Sequence, residues 1–303
     1  MDISIRRAAG MFALAFTTLA SGAAAQVGET GKLRLTGGVN TVDGVAGGGL
    51  TPWAVIGSNA SADQVGAAPF GTVVKSKDYQ LGTAGAAVGI RDRVEVSFAR
   101  QDFDTMATGT ALGLPNLHLK QNIYGVKVKL FGNAILNQDT WLPQMAAGIL
   151  YKDLDAGGLA PTLTALGADD HGADFYVSAT KLLLARSFLV NGTVRFTKAN
   201  QNGLLGFGGT AQDDYRPMAE GSIAILLRKD LAVGGEYRMK PDNLNPSILG
   251  AGLKEDDWHD MFIAYAPTKN ISVTAAYVGL GKIVPAVQSR TQSGFYLSGQ
   301  VSF

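Results

Sequence analysis

Residues 188–197 have the sequence FLVNGTVRFT, in which apolar and polar side chains alternate. In an extended chain Phe188 and Phe196 lie on an apolar face, whereas Thr193 and Arg195 lie on the opposite, polar face. About ten residues are what a tilted β-strand needs to cross the apolar part of a bilayer. The stretch therefore predicts a membrane-crossing strand.

The same two-residue period recurs from residue 30 onward, and polar breaks of two sizes separate the alternating segments. Short breaks lie near residues 91–92, 133–140, 185–186, 228–230 and 267–270. Longer breaks, rich in Gly, Asp and Asn, lie near residues 41–77, 104–116, 153–172, 200–214, 242–256 and 282–292. Five short turns that alternate with six long loops require twelve strands, with both ends of the chain on the short-turn side.

An even strand number with short turns at one end and long loops at the other is typical of bacterial outer-membrane barrels. We therefore predict an all-β chain that forms a transmembrane antiparallel up-and-down β-barrel of about twelve strands. A β-propeller is one alternative, but its blades need four strands per repeat, whereas the interval between short turns holds two. A soluble β-sandwich is another, although its strands are usually about half as long.

The N-terminal residues have the layout of a secretory signal peptide. Arg6 and Arg7 precede an apolar stretch from Ala8 to Ala20, and small residues follow up to Ala25. Thirteen apolar residues are too few to cross a bilayer of about 30 Å as a helix. We expect cleavage after Ala25 and a barrel over residues 26–303 in the bacterial outer membrane. The absence of cysteine fits export to an oxidising compartment.

Charged residues within the predicted strands indicate a polar interior. A charge at the bilayer midplane costs about 2–4 kcal/mol in a barrel, so these side chains must face the lumen. The residues predicted to line a pore are Arg93, Glu95, Lys127, Lys129, Asp174, Arg195, Arg216, Glu220, Glu236, Arg238 and Lys240. A wet pore of mixed charge would pass small polar solutes. The alternative is a filled, non-conducting interior in which acids and bases pair, which suits a structural or surface-interaction protein.

The longest break, residues 41–77, carries a glycine run followed by Pro52 and Trp53. One interpretation is a first loop that folds into the lumen, where Pro52 and Trp53 form a constriction. The other is an irregular strand joined to a flexible external loop.

The composition and motifs favour neither a nucleic-acid partner nor a cofactor. The 26 basic and 25 acidic side chains nearly balance, which argues against binding held by phosphate contacts. Neither a P-loop nor a paired-cysteine zinc motif is present. We expect no cofactor, no metal and no catalytic residues.

A lipid hydrolase is the third hypothesis, because some twelve-stranded barrels are phospholipases that use a serine with a histidine. His118, His171 and His259 fall at predicted strand ends or in loops, without a recognisable hydrolase motif. The best local cluster for a metal or an acid–base pair is His171 with Asp169, Asp170 and Asp174. An acidic solvated loop explains this cluster equally well.

The last residues alternate up to a C-terminal phenylalanine, with Phe295, Leu297, Val301 and Phe303 on one face. This strand resembles the assembly signal of bacterial outer-membrane proteins, which implies recognition by the barrel-assembly machinery and contact with outer-membrane lipid. Gly299 departs from the apolar residue usual at its position. Residues 31–39 (GKLRLTGGV) and 47–55 (GGGLTPWAV) are similar to an uncharacterised proteobacterial outer-membrane family, a domain of unknown function that implies no activity.

Overall fold

A computed structural model describes residues 32–245 and 251–303, so the predicted signal peptide lies outside the described residues. The strands are β1 (Val39–Asn40), β2 (Ala46–Gly47), β3 (Val65–Ser76), β4 (Gln80–Ile90), β5 (Val94–Asp104), β6 (His118–Phe131), β7 (Gln144–Asp155), β8 (His171–Leu183), β9 (Phe188–Thr197), β10 (Arg216–Arg228), β11 (Leu231–Arg238), β12 (Trp258–Tyr265), β13 (Ile271–Gly281) and β14 (Gln292–Val301). Strands β3–β14 form a closed barrel in which each strand pairs antiparallel with its neighbour in sequence. Strand β14 closes the barrel on β3. The predicted all-β barrel of twelve strands is confirmed.

The helical elements are short and lie in the connections. They are α1 (Met106–Ala111), α2 (Ala160–Ala165) and the 3-10 turns Gly157–Leu159, Leu184–Arg186, Asn200–Gly203 and Ala251–Leu253. Over the two described ranges, no helix has the length and apolar character needed to span a bilayer.

Side chains along each barrel strand alternate between a buried inner face and an exposed outer face. On β5, for example, Glu95, Ser97 and Ala99 are buried, whereas Val96 and Phe98 are exposed. The outer face carries many exposed apolar side chains around the barrel. A soluble monomer rarely exposes so continuous an apolar surface, whereas a membrane barrel needs one to contact lipid.

The two ends of the barrel differ in the length of their connections. The short-turn end carries residues 91–93, 132–143, 184–187, 229–230 and 266–270. The long-loop end carries residues 77–79, 105–117, 156–170, 198–215, 239–257 and 282–291. In barrels of this type the long loops face outside the cell.

The structure corrects the expectation that residues 41–77 form one long loop between the first two barrel strands. Residues 65–76 form β3, the first barrel strand, and its connection to β4 is only residues 77–79. The glycines of β3 and Pro69 weaken its strand signal in the sequence. Pairing with β14 runs only from Phe70 to Ser76, so Pro69 lies beyond it, where a missing amide donor is tolerated.

Apolar side chains fill the long-loop half of the lumen. Phe103, Leu119 and Leu154 point inward from the walls and pack with Leu159, Leu204 and other buried residues of the long loops. The barrel is therefore capped by a hydrophobic core at this end.

Candidate functional site

Residues 39–58 enter the barrel and are buried without a break; we call them the inner segment. They include the short hairpin of β1 and β2. Both flanks lie at the short-turn end, where Lys32 N–H donates to Asn59 O and Gly66 packs against Ser58. Irregular backbone is tolerated at membrane depth only where protein or water meets its polar groups. The lumen wall supplies those partners.

Asp43 is the only charged residue of the inner segment and lies among three buried cations. Its carboxylate oxygens are 3.1 Å from Arg238 Nη1, 3.5 Å from Lys152 Nζ and 3.6 Å from Arg195 Nη1. Asn202 Nδ2 also donates to it at 2.7 Å.

Two wall carboxylates complete this cluster. Asp174 lies 2.9 Å from Lys152 Nζ and 3.2 Å from Arg195 Nη1. Glu220 Oε1 accepts from Arg195 Nε at 2.5 Å. Three acids therefore balance three bases, and one of the acids belongs to the inner segment rather than to the wall.

A second cluster clamps the backbone on both sides of the inner segment. Glu95 accepts hydrogen bonds from Ala46 N–H at 3.0 Å and Gly57 N–H at 2.6 Å. Lys127 Nζ donates at 2.9 Å to Ala46 O and to Val55 O, and lies 3.1 Å from Glu95 Oε2. The ion pair thus supplies both a donor and an acceptor to backbone groups of the inner segment.

Residues 48–53, the tip of the inner segment, contact β10 and β11. Glu236 accepts from Leu50 N–H at 2.7 Å and from the Thr51 hydroxyl at 2.6 Å. The indole N–H of Trp53 donates to Ser222 Oγ at 2.9 Å. Gly48 lies so close that an added Cβ would be 2.2 Å from Glu236 Oε1, which explains a glycine there.

Pro52 and Trp53, the predicted constriction residues, both lie inside the lumen. Pro52 O accepts from the hydroxyls of Ser178 and Thr193 at 3.1 and 2.8 Å, and Trp53 is only 6% exposed. The Pro52 carbonyl and the Trp53 side chain are therefore held by hydrogen bonds to the adjacent strands β8, β9 and β10.

The predicted pore-lining residues divide between the lumen and the rims. Glu95, Lys127, Asp174, Arg195, Glu220, Glu236 and Arg238 are buried in the lumen. Lys129 is half-buried at the short-turn end. Arg93 and Arg216 are exposed at opposite rims, where Arg93 donates to Lys129 O and Arg216 to Gln212. These two positions differ from the expected lumen placement because β5 and β10 extend only to the rim there.

Lys32, which precedes the inner segment, and Lys129 on β6 both pair with Asp92 in the turn that follows β4. Asp92 is 2.8 Å from Lys32 Nζ and 2.6 Å from Lys129 Nζ. Burial would raise the pKa of Asp92, but the neighbouring Lys32 and Lys129 lower it below its usual value. Lys32 Nζ also donates to Ile56 O at 2.5 Å.

Lys240, the last of the predicted residues, lies beyond β11 at the long-loop end. Its Nζ is 2.7 Å from Gln201 Oε1 and 3.4 Å from Glu255 Oε2. Glu255 accepts from Gln201 N–H at 2.9 and 3.0 Å. Burial raises the pKa of Glu255 to about 7 against the opposing charge of Lys240.

An almost wholly apolar cavity of about 60 Å³ lies between the inner segment and the long loops. Its lining includes Val42 and Leu50 of the inner segment, Phe103, Val278 and Trp258 of the wall, and leucines of the long loops. The Arg238 guanidinium lies over the Trp258 ring at 5.6 Å, so the cavity adjoins the cation cluster around Asp43.

The three histidines have surroundings unlike those of a serine hydrolase. His118 Nδ1 is 2.6 Å from Asp102 Oδ1, and His171 Nδ1 is 2.7 Å from Asp170 Oδ1. Among the described residues, none of the three histidines hydrogen-bonds to a serine.

The structure also separates the predicted cluster around His171. Asp174 faces the lumen and pairs with Lys152, whereas His171 is exposed on the outside. In the described part of the chain, no group of His, Cys, Asp or Glu has the arrangement of a metal site.

Asp43, Lys152 and Asn202 were not predicted from the sequence. Lys152 shares the inner face of β7 with Leu150 and Leu154, so it lies on the face that alternation assigns to lipid. A lysine between two leucines of one strand face was the signal that could have identified it, because lipid would not accept that charge. Asp43 gave no such signal, since it belongs to no regular element.

A family described as "Protein of unknown function (DUF3034)" matches residues 36–300. Among the curated proteins, none matches this sequence significantly.

Three solved structures are similar to this chain at low sequence identity. The NanC porin is 8% identical, with a TM-score of 0.50 over 78% of this chain and 100% of the porin. The COG4313 outer membrane channel from Pseudomonas putida F1 is 10% identical, with a TM-score of 0.47 over 81% of this chain and 97% of the channel. Outer membrane phospholipase A from Escherichia coli is 8% identical, with a TM-score of 0.42 over 79% of this chain and 92% of the enzyme.

Proposed function

Since the chain belongs to the DUF3034 family, whose description assigns no activity, we propose a function from the lumen itself. The protein is a channel-like barrel of the bacterial outer membrane that lets small polar solutes pass passively once the inner segment moves aside and the hydrophobic core of the long loops opens. It reaches the membrane through a signal peptide cleaved after Ala25 and is inserted by the barrel-assembly machinery.

One observation carries this proposal: the barrel closes without the inner segment. Strand β14 pairs with β3 from Gly294↔Ser76 to Gln300↔Phe70, so every barrel strand has two strand neighbours. The inner segment is joined to the wall mainly through wall side chains such as Glu95, Lys127 and Glu236. Its displacement therefore leaves the backbone ladder of the barrel intact.

The polar character of the wall supports the choice of solute. Gln101 and Gln121 are paired neighbours on β5 and β6 and face the lumen. Gln101 Oε1 and both amide atoms of Gln121 have no hydrogen-bond partner among the described residues. Buried amides usually have partners, so these groups are available to water or to a polar solute.

The second candidate is a non-conducting structural or surface-interaction barrel. The balanced cluster of Asp43, Asp174 and Glu220 with Lys152, Arg195 and Arg238 favours it, because paired charges fill the lumen. A lipid hydrolase lacks comparable support. Phospholipid hydrolysis by the pure protein, lost in His118→Ala or His259→Ala, would overturn the expectation that it is not an enzyme.

A removable cross-link tests whether the inner segment must move. Thr51 Oγ1 and Ser222 Oγ are 2.5 Å apart, and the chain has no cysteine, so Thr51→Cys with Ser222→Cys can form a single disulfide. In planar bilayers we expect the oxidised double variant to be silent and the reduced form to conduct. The two single variants, treated with the same reductant, control for loss of either hydroxyl.

The conductance before and after reduction distinguishes a mobile inner segment from a fixed one and a channel from a non-conducting barrel. Equal conductance before and after reduction would contradict the requirement for segment movement. Silence of the wild type and of the reduced variant, both correctly folded, would favour the non-conducting barrel.

A further inference from the structure

The side chains of Val42 and Asp43 occupy two adjoining environments inside the barrel. Val42 lines the apolar cavity, whereas the Asp43 carboxylate lies among Arg238, Lys152 and Arg195. We propose that this pair of residues occupies a binding site for small monocarboxylates that have an apolar body. This inference rests on the proposed function, because it names the class of solute that the lumen accepts.

The carboxylate half of the site is built from buried wall groups. Arg238, Lys152 and Arg195 are each less than 5% exposed, and Asn202 adds a hydrogen-bond donor. Without Asp43, the wall retains these three cations but only two acids, Asp174 and Glu220. A buried cation without an acidic partner is costly. When the inner segment leaves, binding of one carboxylate from a ligand is therefore favoured.

The apolar half of the site lies beside this carboxylate position. Leu50 lines the cavity, and its carbonyl oxygen accepts from Arg238 Nη1 at 3.3 Å. Gln201 also lines the cavity, and Asn202, the next residue, contacts Asp43. The Trp258 ring lies between the cavity and Arg238. The cavity and the cation cluster therefore share the neighbouring residues Leu50, Trp258 and Gln201–Asn202.

The size of the cavity fits a ligand that takes the place of the Val42 and Leu50 side chains. The free space of about 60 Å³ is smaller than the dry cavity of about 150 Å³ that binds benzene in an engineered protein. Withdrawal of Val42 and Leu50 adds their side-chain volume to it. The surface of the cavity is almost only carbon, so it suits an apolar ligand body better than a polar one.

The site can be tested by chemical rescue at equilibrium, with no need for conductance. Asp43→Ala empties the carboxylate position and loosens the inner segment, so that Val42 and Leu50 can withdraw from the cavity. This variant should unfold at lower denaturant concentration than the wild type. Benzoate should restore the stability of this variant in a saturable way, because a ligand that binds only the folded state stabilises it. Acetate, which has no apolar body, should need at least about tenfold higher concentration, since buried carbon adds affinity.

Three controls make the result specific. Benzyl alcohol keeps the ring but lacks the charge, and it should not rescue. Val278→Phe in the Asp43→Ala background fills the cavity and should weaken benzoate more than acetate, whereas Val273→Phe, on the lipid face of the same strand, should weaken neither. Asp63→Ala removes an exposed acid before β3, and benzoate should not change its stability.

The possible contradictions are distinct. Equal potency of benzoate and acetate would refute the apolar half of the site, and no rescue by either would refute the carboxylate half. Rescue by benzoate in a barrel that stays electrically silent would support the site while removing the proposed channel.

Discussion

Arg238 Nη1 on β11 donates a hydrogen bond of 3.1 Å to Asp43 Oδ2, which ties the barrel wall to the segment inside it. The two residues are far apart in sequence, and Lys152 and Arg195 share the same carboxylate. The inner segment is thus held by its only charged side chain, and further hydrogen bonds join it to charged wall residues such as Glu95, Lys127 and Glu236.

Replacement of Asp43 by Asn is expected to loosen the inner segment. Loss of one member of a buried ion-pair cluster typically costs about 3–5 kcal/mol, because a charge is left without its partner. We expect a lower free energy of unfolding in denaturant and faster proteolysis of the inner segment. Asp63→Asn, at an exposed position, is the matched control. Equal stability of the two variants would contradict a central role for Asp43.

Replacement of Gly48 by Ala is expected to destabilise the docked tip of the segment. The added Cβ would lie 2.2 Å from Glu236 Oε1 and 2.9 Å from the Trp53 ring. Overpacking of this kind costs about 1–3 kcal/mol. At Gly192 nothing lies within 4 Å of the added Cβ, so Gly192→Ala should unfold like the wild type. If both variants match the wild type, the segment tip is not held against Glu236.

Trp53 is expected to be shielded from aqueous quenchers. Its side chain is 6% exposed, whereas Trp141 in a short turn is 81% exposed. Acrylamide should therefore quench a variant that keeps only Trp53 far less than a variant that keeps only Trp141. Similar quenching of the two would place Trp53 outside the lumen.

The stability of the barrel is expected to depend on pH through Glu255. Its pKa is raised from 4.5 to about 7 by burial, so the folded state binds more protons than the unfolded state between these values. Its contribution to stability is fully present below pH 4.5 and is lost as the pH rises through about 7. Glu255→Gln should remove this decline from the unfolding free energy measured between pH 4 and about 8. A decline of the same size in the variant would assign it to other groups.

The outline of the fold could be predicted from local sequence because side chains that face lipid must be apolar, which produces a regular alternation along each strand. Alternation in segments such as 188–197 gave the strand type, and the two sizes of polar break gave the number and the direction of the strands. The first strand was misplaced because Gly66, Pro69 and Gly71 interrupt its alternating pattern.

The candidate site was harder to predict because, toward the long-loop end, some strands carry apolar side chains on the inner face and charged side chains on the outer face. There Leu150 and Leu154 face inward, whereas Asp153 and Asp155 face outward. Leu154 packs on the long loops, whereas Leu150 packs with Val45 of the inner segment, and both contacts depend on residues distant in sequence. The position of Asp43 depends on how an irregular segment folds inside a closed wall, and periodicity carries no information about that.

Conductance of a shortened protein tests the central claim that the inner segment closes the lumen. Deletion of residues 47–59 removes the contacts to Glu236, Ser222 and Thr180, together with one of the two backbone donors to Glu95, and leaves β3–β14 complete. In planar bilayers we predict a larger single-channel conductance for the deletion than for the wild type, in protein shown to be folded by its migration before and after heating. Unchanged conductance in the folded deletion variant would contradict the claim.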